Sequence, residues 1–472
     1  MTKNIRTLMR LPVLSLAATC IGNVSSIAVA ADSASAAPSV NFQNLRYDDS
    51  QATREASLYY TKLTLSDKSD LNIGGQIRER GEWWDNFNFK DANDDTFLLS
   101  RIRLNGDLHT CENFRLFVEG RSAFVNSRDL PTPDKSGKRP TDEDELDLEN
   151  AFGDLSYGDD TRATLRLGRQ ELSYGAQRTV GVLDWANTRR TFDGAKAMLK
   201  GSDWQVDAFA TRLVQIQRYQ FNDGYTKGQD FYGIYATKQF KDAGANLDLY
   251  ALNRLQHGAV TNAINNDDNR DTFGSRLYRV CGKSGFDYDI EGDYQSGTST
   301  GDKNIDAWSI AAVLGYKAPD CPYNSRLYLE YDYATGDKDP KDGDNNRYNP
   351  LYPTGHLFFG LIDAIGRQNI EDFCAGISAA PVKKVTTRLE GHYFERAESK
   401  DGVYDAGGNL IVPAAASKSS NIGEEVDFTI AYQYDAHLQI AAGYGHFFAG
   451  DVVNDAKGDD INTAYLSGQY TF

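Results

Sequence analysis

Charged side chains in this sequence recur at every second position within short runs that are otherwise apolar. In FLLSRIRLNGDLH, Arg101 and Arg103 alternate with leucine and isoleucine, and in FDYDIEGDYQ four acids alternate with aromatic and aliphatic residues. A guanidinium group binds a carboxylate through two parallel hydrogen bonds, so a row of arginines suits a ligand that carries carboxylates. The chemistry that this pattern predicts is the binding of charged solutes.

Two sets of charged residues occupy such alternating positions, and we expect both to face a hydrated interior. The basic set is Arg78, Arg80, Arg101, Arg103, Arg115, Arg121, Arg166, Arg276, Arg326, Lys384 and Arg388. The acidic set is Glu119, Asp287, Asp289, Glu291, Asp293, Glu330, Asp332, Glu390, Glu425 and Asp427. Two interpretations remain open: a salt-bridge network that stiffens a wall, or a guanidinium ladder along which a polyuronate passes.

Motifs for catalysis or for cofactors are absent from the sequence. It has no G-x-S-x-G, no H-E-x-x-H and no phosphate-binding loop, and it has six histidines. Glu390 and His392 share a face, but such a pair is more typical of a wall than of a catalytic dyad, so we predict no enzyme. Calcium could bind the acidic loops DKDPKDGDN and NDAKGDDIN, although neither matches the EF-hand pattern.

The elements that must position these charges are about eighteen runs of roughly ten residues, from LNIGGQIRER to INTAYLSGQYTF. That length spans a bilayer as a tilted β-strand, and the period-2 alternation gives each strand one apolar and one polar face. Short connections alternate with long ones. The long loops are predicted at Val125–Glu145, Ser173–Arg190, Leu213–Gly228, Gln256–Arg270, Ser296–Asn304, Gly336–Ile370, Ala397–Ser420 and Ala449–Asp460. The pattern predicts a transmembrane antiparallel β-barrel of about 18 strands, with short periplasmic turns and long extracellular loops.

The first thirty residues are typical of a secretory signal. Basic residues precede the apolar run LPVLSLAATCIGNVSSIAVA, and Ala28-Val29-Ala30 fits a cleavage site. We therefore divide the chain into a signal peptide (1–30), a partly disordered lead-in (31–70) and an outer-membrane barrel (71–472). Loss of the three basic residues of the signal changes the net charge from −17 to −20, which is unsuited to nucleic-acid binding. A disulfide between Cys281 and Cys321 is compatible with an oxidising compartment.

The longest predicted loop, Gly336–Ile370, has an unusual composition for an exposed segment. Its acidic front gives way to LYPTGHLFFGLIDAI, and such an apolar surface needs to be buried. We expect this loop to enter the outer mouth of the barrel and to bring His356 and Arg367 close to the path of a solute. Packing against neighbouring loops at the rim is the alternative.

Three segments carry a family resemblance: LRLGRQEL, DWANTRRTFDGAKA and EYDYATGDKDPKDGDNNRYNPLYPTGHLFFGLIDAIGRQNIEDF. They resemble the alginate export family of outer-membrane porins. The resemblance implies an 18-stranded barrel, a basic constriction that conducts alginate, and loops that occlude the ends. It makes Arg169, Arg189 and Arg190 candidate pore arginines. Because Arg169 shares its parity with Leu165 and Leu167, only a bulge or a position beyond the membrane edge would turn it inward.

Three functions follow as hypotheses. The first is export of an anionic, alginate-like polysaccharide, the second is selective diffusion of small anionic solutes or sugar acids, and the third is a plugged barrel with a structural or adhesive role. The expected partners are outer-membrane lipid and lipopolysaccharide, an anionic polysaccharide or small anionic solute, and the outer-membrane assembly machinery. The terminal Phe472 resembles the C-terminal signal that this machinery reads.

Overall fold

Eighteen β-strands form the wall of the computed structural model, which describes residues 61–91, 93–111, 113–130, 138–258, 267–280, 285–318 and 322–472. The strands are β1 (Ser69–Asp85), β2 (Asp95–Thr110), β3 (Phe114–Asn126), β4 (Asp144–Tyr157), β5 (Arg162–Gln170), β6 (Phe192–Lys200), β7 (Trp204–Gln215), β8 (Gly224–Phe240), β9 (Ala245–Gln256), β10 (Asp268–Arg279), β11 (Phe286–Ser299), β12 (Lys303–Tyr316), β13 (Arg326–Ala334), β14 (Ile370–Ala379), β15 (Val385–Glu395), β16 (Asn421–Gln433), β17 (Leu438–Ala449) and β18 (Ile461–Thr471). All eighteen predicted strands are present, so the predicted fold class is confirmed.

The first and last strands close the sheet. β1 pairs antiparallel with β2 on one side and with β18 on the other, from Gln76↔Thr471 to Asp85↔Asn462. Gly75 and Phe472 exchange two backbone hydrogen bonds, of 2.7 and 3.0 Å. Closure satisfies the backbone groups of both end strands within the protein, which a lipid environment requires.

The alternation of residue types along the strands becomes an outer and an inner face. On β2, Leu98, Ile102 and Leu104 are between 40% and 56% exposed, whereas Arg101 and Arg103 are buried. The same division holds on β13, where Leu327 and Leu329 face outward. Apolar residues therefore cover the outside and charged residues line the inside, because a charge facing lipid at mid-membrane costs about 2–4 kcal/mol.

Most connections are sorted by length between the two ends of the barrel, and one predicted long loop is an exception. Turns at residues 158–161 and 201–203 contrast with loops at residues 171–191 and 335–369. The predicted long loop Ser296–Asn304 is wrong, because pairing of β11 with β12 continues to Ser299↔Lys303. A three-residue turn joins these two strands, and Gly301 and Asp302 within it have the positive φ of a tight hairpin.

Smaller elements lie at the ends of the barrel. A strand at Thr61–Ser66 pairs with the first residues of β1, so ordered structure begins earlier than the predicted barrel start at residue 71. Among the loops, Asp344–Asn345 pairs in parallel with β12, Val403–Tyr404 pairs with Leu410–Val412, and a short helix spans Asp451–Asp455. No helix in the described ranges is both long and apolar enough to cross a membrane.

Several predictions fall outside the described residues. They are the signal peptide (1–30), most of the lead-in (31–60) and the disulfide between Cys281 and Cys321. Two cysteines that the structure does describe are free thiols: Cys111 is exposed and Cys374 is buried.

Candidate functional site

Strand register brings arginines of β1, β2 and β3 together on the inner face. Arg78 lies directly opposite Arg101, and Arg103 lies directly opposite Arg121. All four side chains are almost completely buried. Like charges in directly opposed positions repel each other, so this basic wall is stable only if anions or carbonyl oxygens are brought to it.

Carboxylates of the neighbouring strands neutralise one half of the basic wall. Arg103 contacts Glu119 and Glu149, each at 2.8 Å, and both carboxylates are buried. Arg121 forms ion pairs with Asp144 and Asp223. The charges of Arg103 and Arg121 are therefore neutralised by carboxylates of strands β3 and β4 and of the loop that precedes β8.

The loop between β5 and β6 neutralises the other half. This segment, residues 171–191, is called the inner loop here because it folds into the barrel. Asp184 lies 3.1 Å from Arg101 of the wall and 3.1 Å from Arg189 of the loop itself. Burial alone would raise the pKa of the Asp184 carboxyl, but Arg101, Arg189 and Arg78 outweigh it and lower the pKa to about 2.

Backbone carbonyls of the inner loop supply further acceptors. Arg78 donates to the carbonyl oxygens of Asp184 at 2.8 Å and of Ala186 at 2.9 Å. Arg80 donates to the carbonyl of Trp185 at 2.6 Å, and its guanidinium stacks 3.7 Å above the indole ring. The inner loop thus supplies backbone acceptors to the guanidinium groups of Arg78 and Arg80.

The opposite side of the interior is acidic, and loops bring arginines to it. Arg178 of the inner loop contacts Asp289 at 3.2 Å and Glu291 at 3.1 Å on β11. Arg367 contacts Asp332 of β13 at 2.6 Å. The basic and acidic sets, which are separate along the sequence, therefore line two separate walls of the barrel. Loop residues of the opposite charge form ion pairs with each wall.

Arg367 belongs to the loop between β13 and β14, residues 335–369, which is called the long loop below. Its apolar side chains Phe359, Ile362 and Ile365 are buried, which confirms that this loop packs against protein. The backbone N–H groups of Leu361 and Ile362 donate to Asp427 at 2.9 Å and to Glu425 at 3.0 Å on β16. The loop is thereby anchored to the inner wall.

The two loops also pair with each other inside the barrel. Tyr352 accepts a hydrogen bond from Gly181 at 2.8 Å and donates to the carbonyl of Thr179 at 3.0 Å. The ring of His356 stacks on Trp185 at 3.7 Å, and its Nδ1 lies 2.9 Å from Asp363. His356 is therefore part of the contact between the inner loop and the long loop.

The structure unites some of the predicted site residues and separates others. Arg101, Arg103 and Arg189 share one ion-pair network, in which Arg189 contacts Glu171 at 2.6 Å. Arg190 donates to the carbonyls of Gly181 and Pro353, and burial lowers its pKa to about 10. Arg166 forms a separate bidentate pair with Asp154, with both bonds 2.7 Å long, and Arg388 lies 2.8 Å from Glu390 with 37% of its side chain exposed.

Arg169 has the outward parity of its strand, so the backbone of β5 does not turn it inward. Leu165 and Leu167 face outward, and the pairing of β5 continues through Arg169 without a register shift. Its guanidinium lies 2.8 Å from Asp193 on the same face, but it also lies 3.4 Å from the buried Asp147 and donates to the Asp223 carbonyl at 3.1 Å. The end of the side chain therefore reaches the group of acids that surrounds Arg121. Gly168 adopts φ 130°, but no bulge follows that would turn Arg169 inward. Lys384 lies outside the interior, in a turn where it donates to the Tyr434 carbonyl.

Asp184 and Trp185 were not among the predicted site residues, although they stand in the motif DWANTRR. The signal available in the sequence was a carboxylate five and six positions before Arg189 and Arg190 in a long loop. Among the described residues, neither acidic loop proposed for calcium contributes to a close group of three His, Cys, Asp or Glu side chains, and calcium binding there stays a prediction. Two such groups lie elsewhere, at Asp144–Asp147–Asp223 and at Cys374–Glu390–His392.

The comparisons with known proteins agree with this architecture. The family model described as Alginate export matches residues 69–467. No curated protein is a significant match to the chain. The fold is similar to Pseudomonas aeruginosa OpdK with vanillate (TM-score 0.59, 9% identity) and OccK8, also called OprE (0.55, 13%), each match covering 85% of this chain and 98% of the other. Acinetobacter baumannii OccAB1 matches with a TM-score of 0.56 and 13% identity, over 85% of this chain and 96% of the other. At these identities the likeness shows the fold alone.

Proposed function

The chain belongs to the alginate export family, and from that premise we propose that it exports an anionic, alginate-like polysaccharide across the outer membrane. It is an outer-membrane β-barrel channel, and the proposal concerns what passes through it. The observation that carries the proposal is the contact between the basic wall and the inner loop. There, the guanidinium groups of Arg78 and Arg80 donate to three backbone carbonyls of the inner loop. Arg101 forms an ion pair with the Asp184 carboxylate.

This contact supports a mechanism of exchange. A uronate residue presents a carboxylate and hydroxyl oxygens, which are the same kinds of acceptor that the inner loop presents. When the loop withdraws, a polyuronate replaces its acceptors one sugar at a time, so the buried arginines are never left without partners. The long loop must move as well, because it pairs with the inner loop at Tyr352.

A second candidate is diffusion of small anionic solutes. The paired loops fill part of the interior, which favours a narrow path in this conformation. A relative in fold, OpdK, was solved with vanillate, a small organic anion. The two candidates share the arginine chemistry and differ in the length of the solute.

Current block in planar bilayers tests the proposal. The full mature chain and a variant lacking residues 349–364 are exposed to oligouronates of increasing length and to neutral oligosaccharides of equal length. We expect block by the charged chains, deepening with length, and a weakening of about tenfold or more in Arg101→Gln. Arg212→Gln is the matched control, because Arg212 is on the outward face and half exposed.

Three outcomes separate the hypotheses. Block that does not increase with length favours the small-solute channel. Equal block by neutral and charged sugars would contradict both. If neither protein conducts although both are folded, a plugged barrel is supported.

A further inference from the structure

Three potential metal ligands of different chemical type meet on the inner face of β14 and β15. Cys374 and His392 are directly opposed in the register of these strands, and Glu390 lies two residues before His392. The Cys374 sulfur, a His392 ring nitrogen and a Glu390 carboxylate oxygen lie within 4.8 Å of one another, and all three residues are buried. Neither the network at the basic wall nor the anchoring of the loops uses this group.

The histidine is held in the orientation that a metal ligand needs. Its Nδ1 lies 2.9 Å from the carboxylate of Asp372, and its ring is nearly parallel to that of Phe394, with an interplanar angle of 7°. A carboxylate accepts hydrogen bonds, so Nδ1 carries a hydrogen, and the His392 side chain is also hydrogen-bonded to the Cys374 thiol. A metal ion bound between Cys374 and His392 would replace the proton that they share. A carboxylate behind the non-ligating nitrogen is the usual support of a metal-binding histidine.

The glutamate is also fixed in place by its neighbours. Tyr328 donates to one oxygen of Glu390, and Arg388 lies 2.8 Å from the other. A carboxylate has about four lone-pair sites, so these two bonds leave capacity for an ion. More than a third of the Arg388 side chain is exposed, whereas 8% of Glu390 is, so an ion that binds Glu390 shares the carboxylate with this guanidinium.

The surroundings carry an excess of buried acceptors. Glu425 is directly opposed to His392 on the other side of β15, and Asp427 is opposed to Glu390. Within the described part of the chain, Asp372 has one buried oxygen that receives no hydrogen bond, and the carboxyl groups of Glu425 and Asp427 are hydrogen-bonded to each other. Buried carboxylates with unsatisfied oxygens are costly, and a divalent cation beside them would offset that cost.

We propose that Cys374, Glu390 and His392 bind a zinc ion. A thiolate, an imidazole and a carboxylate together are typical of Zn²⁺, whereas calcium and magnesium prefer oxygen ligands throughout. Zinc–ligand bonds of 2.0–2.3 Å place ligand atoms about 3.5 Å apart in a tetrahedron, so small side-chain rotations close the site from its present spacing. Three protein ligands leave the fourth position to water or to an oxygen of a solute.

Cobalt(II) titration of the folded, chelator-treated mature protein tests this site. Co²⁺ alone should bind with a stoichiometry of one and give a thiolate-to-cobalt charge-transfer band, and Zn²⁺ should displace it. The variant in which Cys111, Cys281 and Cys321 are all serine should keep the band. Cys374→Ser should lose it and bind Zn²⁺ at least tenfold more weakly.

Asp372→Asn provides a second measurement that does not remove a ligand. It should weaken Zn²⁺ binding about 10- to 100-fold, as expected for a carboxylate that positions a histidine. Folding of each variant is checked by its heat-dependent migration in detergent gels. A folded triple-serine variant without the band, or a Cys374→Ser variant that retains it, would overturn the proposal. Both outcomes are independent of whether the channel exports polysaccharide.

Discussion

At the scale of single residues, Asp184 is central to the closed arrangement of the basic wall. Its carboxylate joins Arg101 of β2 to Arg189 of the inner loop, and its backbone carbonyl accepts from Arg78. Removing one partner from a buried ion pair costs about 3–5 kcal/mol, because the other charge remains buried. We therefore expect the Asp184 side chain to hold the inner loop in place more strongly than an exposed acidic side chain would.

The first prediction is that Asp184→Asn loosens the inner loop and opens the channel. The amide keeps the size of the side chain but removes the charge beside Arg101 and Arg189. We expect a higher open probability and a larger mean conductance in planar bilayers. Asp159→Asn, in an exposed turn at the other end of the barrel, is the control and should behave as wild type. Identical traces for both variants would show that the Asp184 charge does not hold the loop.

The second prediction concerns acid pH. The pKa of Asp184 is about 2 in the docked loop, below the value of about 3.9 expected for a free aspartate. A depressed pKa contributes stability that is present above the free value and is lost as the pH falls toward the docked value. As Asp184 becomes protonated, the inner loop should be released, so the conductance should begin to rise below a pH of about 4. Asp184→Asn should lack this step, and a step of equal size in the variant would assign it to another group.

At the scale of elements, the long loop reaches the wall through backbone groups, and this requires close approach. Gly360, with φ 82°, precedes the two N–H groups that bind Asp427 and Glu425. A Cβ at this position would clash with the Glu425 carboxylate, so glycine allows the contact. Tyr352 and His356 of the same loop contact the inner loop, so we expect the two loops to move together.

The third prediction is that deleting residues 349–364 raises single-channel conductance. The deletion removes the contacts with Thr179, Gly181 and Trp185 and frees the space that the apolar residues fill. The control replaces the exposed stretch 338–342 of the same loop with glycine and serine, and its conductance should stay at the wild-type value. If a folded deletion variant conducts no more than this control, the long loop lies outside the path.

At the scale of the whole molecule, closure of the sheet determines stability. Each barrel strand is paired along both edges, and the end strands satisfy one another at Gly75 and Phe472. Local fraying is therefore limited, and unfolding in a detergent requires many backbone hydrogen bonds to break together. We therefore expect the barrel to remain folded in mild detergent until it is heated.

The fourth prediction follows from this cooperativity. Unboiled and boiled mature protein should migrate differently in detergent gels, and the circular dichroism spectrum of the unboiled protein should be dominated by β-structure. Deleting Gln469–Phe472 removes pairs with β1 and β17, so the folded band should be lost at a lower temperature. A helical spectrum would contradict the fold, and an unchanged transition in the truncated chain would contradict the role of closure.

The sequence by itself determined the strands, their two faces and the end at which most long loops lie. These features depend on a period of two and on turn residues, which are local, and on the cost of exposing charge to lipid, which applies to every strand alike. The inward positions of Arg101 and Arg103 on β2 followed from this periodicity. The burial of the long loop followed from its composition, because an apolar surface of that size is not stable in water.

Only the tertiary structure decided which charges meet. Asp184 reaches Arg101 across 83 positions of the chain because the inner loop turns into the barrel, and no local pattern encodes that path. The outward position of Arg169 depends on uninterrupted pairing with two neighbouring strands, and the opposition of Cys374 and His392 depends on the register of β14 with β15. Register and loop path arise from the sum of many distant contacts, so they emerge when the barrel closes.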